Sequence, residues 1–316
     1  MRVRYAWIDW AKTIAITMVV YAHVPDAPFS QLFSIFRIPF FFMLSGYLYK
    51  PRIFKEEANR MFYCLIIPYL IYNSFLLVIT PPNDVPQGIV NVFMGNQEQL
   101  PGNYRAMWFL VSIMIMRLVS SLFVKHLTYL PIVSFLIYLL FKQYGVVKEN
   151  NDIFQLNTTL LCFQFFIFGY FLKKNPKINI LTKLSPVSNY LIIGVGFVAL
   201  LMIGYNFVGP VNMFRCDTGN NFFLFLVVSY MLSYLLIRLF QLVFSKESIV
   251  VQAISNGTLL ILCVHQTVII IIKVLEIKSG VSFHPLLMPF IVLILLYMPI
   301  KLCDRYVPIL IGKRKK

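Results

Sequence analysis

From one end to the other, the chain alternates long apolar runs with short polar breaks. A bilayer core about 30 Å thick needs about 20 apolar residues per helix, and about ten runs approach that length. They fall at approximately residues 7–26, 30–49, 61–80, 106–124, 128–144, 156–173, 188–208, 221–243, 254–275 and 285–303, the fifth being the weakest. The pattern predicts an all-α polytopic integral membrane protein. Little chain is left between the runs, so a single transmembrane domain over residues 1–316, with no fused extracytoplasmic domain, is expected. No small-residue cleavage site follows the first run, which reads as a retained helix rather than a signal peptide.

Composition agrees: 59% of the 316 residues are hydrophobic and only 13% charged, against about 25% charged in an ordinary soluble domain. The formal charge of +16 invites a nucleic-acid reading until the basic residues are placed. With the N-terminus inside, Lys50, Arg52, Lys55, Arg60, Lys125, Lys173, Lys174, Lys177, Lys183 and Lys246 fall on the inner side, as does the tail from Lys313 to Lys316. The outer loops hold scattered Arg105, Lys148, Arg215 and Lys278, diluted by Asp84, Glu98, Glu149, Asp152, Asp217 and Glu276. That bias predicts a multi-pass protein of the inner (plasma) membrane with both termini cytoplasmic, lipid as its surroundings and no nucleic-acid partner. The cysteines Cys64, Cys162, Cys216, Cys263 and Cys303 are scattered singly, so neither a disulfide framework nor a metal site is expected. There is no glycine-rich phosphate loop and no clear internal repeat.

The chemistry is therefore sought inside the membrane, where ionisable groups are costly. The first run, "WIDWAKTIAITMVVYAHVP", carries Asp9, Lys12 and His23. At 100° per residue the eleven-residue step from Lys12 to His23 comes within about 20° of three full turns, so the two share a face about 16 Å apart. Asp9 lies on the same stripe, in pairing range of Lys12. Pro25 ends the helix just past His23. The plainer reading makes Asp9 and Lys12 an interfacial ion pair and His23 a helix cap. The second run, "FRIPFFFMLSGYLYK", places Arg37 in apolar surroundings beside Pro39, which is expected to kink the helix there, while Ser45 and Gly46 permit close helix contact. A short loop makes the two helices antiparallel neighbours, so that Arg37 can face the same cavity as His23.

These two stretches, followed in order by "IIPYLIYN", "MWFL" and "ISNGTLLILCVHQ", resemble the acyltransferase-3 family of membrane O-acyltransferases, especially its fucose-acetylase-like and succinyltransferase-like branches. The resemblance runs from residue 7 to about 266. Lys12 stands where the family usually has arginine, which keeps the charge and loses the planar fork. The family's basic pair before "IPY" falls here on Met61 and Cys64, leaving Arg60 nearby.

What the resemblance implies is transfer of an acyl group, acetyl above all, from cytoplasmic acyl-CoA to a hydroxyl of a cell-surface or lipid-linked carbohydrate. Acyl-CoA would be a donor substrate, with no bound cofactor. A sugar hydroxyl is a poor nucleophile and needs a base within reach, together with stabilisation of the oxyanion. His23 is the candidate base, acting directly or through an acyl-histidine intermediate. Asp9, Lys12, Arg37, Arg60, Trp108 and His265 are candidates for holding substrate. His265 has a plainer reading as a hydrogen-bonded structural group, and Trp108 as part of an interfacial belt. Asn73 and the Tyr104–Arg105 pair are further candidates for the acceptor side. A secondary transporter or flippase for a lipid-linked sugar is the alternative from another class; it would show repeat symmetry and no dependence on acyl-CoA. A nonenzymatic scaffold leaves the costly charges unexplained.

Overall fold

The structure is a computed structural model and describes residues 5–146, 152–175 and 185–314. Lys148, Glu149, Lys177, Lys183, Lys315 and Lys316 lie outside the described residues. Each apolar run has become helical. The longer helices are α1 (Ala6–Ala22), α2 (Arg37–Leu48), α3 (Ile67–Ile79), α4 (Trp108–Leu122), α5 (Leu130–Gln143), α6 (Leu156–Lys174), α7 (Pro186–Ile203), α8 (Phe222–Val243), α9 (Thr258–Ser279) and α10 (Met288–Tyr306). Among the described residues there is no strand, only an isolated bridge between Asn212 and Asp217.

Among the described residues, seven helical segments are long and apolar enough to cross a membrane. The remaining runs are helical but shorter or more charged. Helix α1 has 17 residues and α5 has 14, while α10 ends in Lys301, Asp304 and Arg305. The protein is thus an all-α, multi-pass membrane protein, with lipid-type apolar side chains such as Val78, Ile277 and Ile294 on its outside.

Among the described residues four runs depart from a continuous α-helix, the seventh ending in a π-turn over Gly204–Val208. The second divides into Ser30–Ser34 and α2, with the break at Phe36. Pro39 therefore does not kink a continuous helix, as expected; it lies in the first turn of α2, where its missing N–H would have had no intrahelical partner in any case. The third run is prefaced by Phe54–Met61 and a π-turn over Phe62–Ile66, and the ninth is broken at Gly257 between Ile249–Asn256 and α9.

Helices α2 and α6 make the closest crossing. A Cβ on Gly46 would lie 1.7 Å from the Phe166 carbonyl oxygen, and one on Gly169 would lie 1.9 Å from that of Met43. Each glycine thus admits the other helix's backbone, the small-residue packing by which membrane helices gain van der Waals contact without a hydrophobic driving force. Buried aromatic side chains fill the space around it, with Phe42 against Phe109 and Phe165 against Tyr230.

Because successive helices reverse direction, their ends sort onto two faces. One carries the described ends of the chain together with Lys50, Arg52 and Lys246; the other carries the loops after α1, α3, α7 and α9. The site lies on this second face.

Candidate active site

A cavity of about 970 Å³ opens between the helix ends on the face opposite the termini. His23, the C-cap of α1, stands on one wall, and Arg37, the first residue of α2, stands beside it. Thr80, at the end of α3, and Trp108, at the start of α4, line it as well, with Gln266 and Lys273 of α9 and the loop around Asn212. Val19, Phe41, Phe109 and Ile269 make parts of the wall apolar. The polar groups are held in place: Asn103 donates its amide to Thr80 Oγ1 at 2.7 Å, and Tyr104 donates its hydroxyl to the Thr80 carbonyl at 3.2 Å.

His23 is open to the cavity, yet one edge of its ring is fully engaged. Its Nδ1 lies 2.8 Å from the Val19 carbonyl and 3.2 Å from Nε2 of His265. His265 is fully buried, and its own Nδ1 faces the carbonyls of Ile261 at 2.8 Å and Leu262 at 3.0 Å. A carbonyl only accepts, so each Nδ1 carries the ring proton. His265 Nε2 is then a bare acceptor for the His23 Nδ1–H. The remaining nitrogen of His23, Nε2, keeps a free lone pair on the cavity side. The two rings meet edge to face with centroids 4.9 Å apart, which fixes the plane of the His23 imidazole.

The cavity is strongly cationic. Arg37, Arg105, Arg215 and Lys273 line it, and no aspartate or glutamate does so among the described residues. Arg215 pairs with Glu98 at 2.6 Å and Lys273 with Glu276 at 2.7 Å, both carboxylates standing behind the wall. For Arg37 and Arg105, no ion pair or hydrogen bond of the guanidinium falls among the described residues.

The model of the family described as "Acyltransferase domain" matches residues 5–300, nearly the whole chain. The protein belongs to the acyltransferase-3 family. It is a membrane acyltransferase that moves acyl groups other than aminoacyl groups, which decides against the transporter reading. Comparison with curated proteins and with solved structures gives no match.

Against this identity, the side chains singled out from the sequence of the acyltransferase divide in two. His23, Arg37 and Trp108 come together in the cavity, and His265 supports His23 from behind. Asp9, Lys12 and Arg60 lie towards the other face. Asp9 accepts the Ser255 hydroxyl at 2.6 Å, and Lys12 donates its ammonium to the Ser255 carbonyl at the end of Ile249–Asn256. Arg60 is exposed on the short helix that carries Glu57. Asn73 is fully buried outside the cavity and donates to the Tyr69 carbonyl at 2.8 Å.

Six polar cavity residues of the acyltransferase carried no signal strong enough to be singled out: Thr80, Asn103, Asn212, Arg215, Gln266 and Lys273. Lys273 reads in sequence as an ordinary lysine near a span end, extending its charge to the interface. Only the convergence of α9 with α1 and α4 turns it into part of a site.

Proposed function

We propose that this acyltransferase carries an acyl group, acetyl above all, from acyl-CoA to a carbohydrate hydroxyl, with His23 as general base. The observation that carries the reading is the committed His23 Nδ1, which leaves Nε2 as the proton acceptor facing a cavity large enough for a sugar. The acceptor hydroxyl gives its proton to Nε2 as its oxygen attacks the thioester carbonyl. The C–S bond then breaks, the proton passes to the departing thiolate, and the products are the sugar ester and free CoA. His265 is a positioning residue. Its bare Nε2 holds the His23 N–H and favours the imidazolium that forms, the part a carboxylate plays in a serine protease triad.

Arg37 lies within electrostatic reach of the imidazole and offers its guanidinium to the oxyanion of the tetrahedral intermediate. Acyl-CoA approaches from the face of the termini, which is cytoplasmic in a plasma-membrane orientation, and its phosphates meet Arg60 and Lys55 there. Asp9 and Lys12 hold Ile249–Asn256 against α1 below the reaction centre.

The test is transfer of radiolabel from acyl-CoA to envelope glycan by purified protein in proteoliposomes. Wild type is expected to label the glycan, and His23→Ala, inserted and folded, to lose about 10²- to 10⁴-fold in rate. Labelling at the wild-type rate by well-folded His23→Ala would remove His23 from the mechanism, and no labelling by wild type would overturn the acceptor class.

A further inference from the structure

Resting on the acyl-transfer reading, we infer that the acceptor is an anionic saccharide whose negative group is held by Arg37 and Arg105 while a neighbouring hydroxyl is presented to His23. Four cations line the cavity, and two carboxylates, Glu98 and Glu276, answer two of them. Two positive charges are left over, and they belong to the two arginines with no partner among the described residues.

Arg37, the first residue of α2, is half-buried, and Arg105, just before α4, is exposed at the opening, so both guanidinium groups are presented to whatever enters the cavity. The guanidinium is the side chain best shaped for an anion, since its planar fork binds carboxylate or phosphate through two hydrogen bonds. Asn103, oriented by Thr80, supplies a neutral polar wall suited to hydroxyls, and Trp108, tilted against Phe214 with centroids 6.0 Å apart, supplies an aromatic one suited to a sugar ring. Arg215 and Lys273 are each balanced by a carboxylate, so the net positive field at the opening comes from Arg37 and Arg105. The anion is either on the saccharide itself, as a carboxylate or phosphate, or on the phosphate of a lipid carrier to which the saccharide is joined.

Proteoliposomes holding the full chain are supplied with radiolabelled acetyl-CoA and with two fractions from the cells that make the protein: water-soluble envelope glycan and solvent-extracted lipid-linked saccharide. The products are separated by anion exchange. Label in acidic water-soluble glycan supports the inference and places the anion on the sugar. Label in the lipid-linked fraction supports it and places the anion on the carrier. Label in neutral glycan free of carrier overturns it while leaving acyl transfer standing. No label in either fraction, from protein shown to be folded, takes down the carbohydrate-acceptor reading and this inference together.

Arg105→Gln sharpens the result. The KM for the labelled acceptor should rise about 10- to 100-fold, as expected on losing a hydrogen bond between charged groups, with kcat and the KM for acetyl-CoA little changed. Arg105→Lys should recover part of the loss. A rise in the KM for acetyl-CoA in place of the acceptor would assign these arginines to the donor's phosphates and overturn the inference.

Discussion

The two ends of α1 hold similar chemistry in opposite circumstances. At its start, Asp9 and Lys12 both bind Ser255, one through the hydroxyl and the other through the carbonyl. Nearby, on the same face, fully buried Glu57 is held by Arg52 at 3.1 Å and by Arg117 at 2.6 Å. Charge there is engaged by other protein groups. At the far end, His23 turns an unprotonated nitrogen to a cavity, and two arginines lining that cavity make no ion pair or hydrogen bond among the described residues. Near the membrane, a charge already answered by protein contributes to the fold, whereas a charge left open in a cavity is arranged for something that arrives later.

Breaking the first kind of contact should change stability and spare the chemistry. The largest effect is expected for Glu57→Ala, which strands Arg52 and Arg117. Loss of one partner from a buried ion pair costs about 3 to 5 kcal/mol, and thermal unfolding in detergent should show it, with the rate per folded molecule unchanged. Lys12→Met is expected to cost less, about 1.5 to 3 kcal/mol, the scale of a hydrogen bond from a charged donor. The Ser255 carbonyl retains the Thr258 hydroxyl at 2.7 Å, which limits the damage. A Lys12→Met protein of normal stability that had lost its rate would erase the distinction between the two ends. The smallest effect belongs to Asp304→Asn. Its pair with Lys313 is exposed on both sides, so the melting temperature should move by no more than the equivalent of about 1 kcal/mol. His23→Ala is the internal contrast, silent in the melting curve and conspicuous in the assay.

The helices were legible because hydrophobic run length is a direct response to bilayer thickness. Their interruptions at Phe36 and Phe62–Ile66 were not, since apolar residues surround both, and the break at Gly257, marked locally by Asn256-Gly257, is lost in a window averaged over a whole span. The site was legible where one helix sufficed. His23 and Arg37 stood out as ionisable groups beside prolines in neighbouring runs, and they do share a cavity. Lys12 shows the limit of that method. A helical projection reports the angle about the axis, and Lys12 agrees with His23 in angle; depth decides which of them reaches the opening. Gln266 and Lys273 became visible only through tertiary packing, because their role depends on where α9 meets α1 and α4.

The glycine crossing of α2 and α6 has a mechanical consequence. A side chain between two helices is a spacer that can change rotamer and let them slide, but at Gly46 and Gly169 backbone rests on backbone. Nothing there can yield by less than a whole helix. The wall that carries Arg37 is therefore pinned backbone to backbone, whereas α9, which brings Gln266 and Lys273 to the cavity, contains no glycine and packs through side chains.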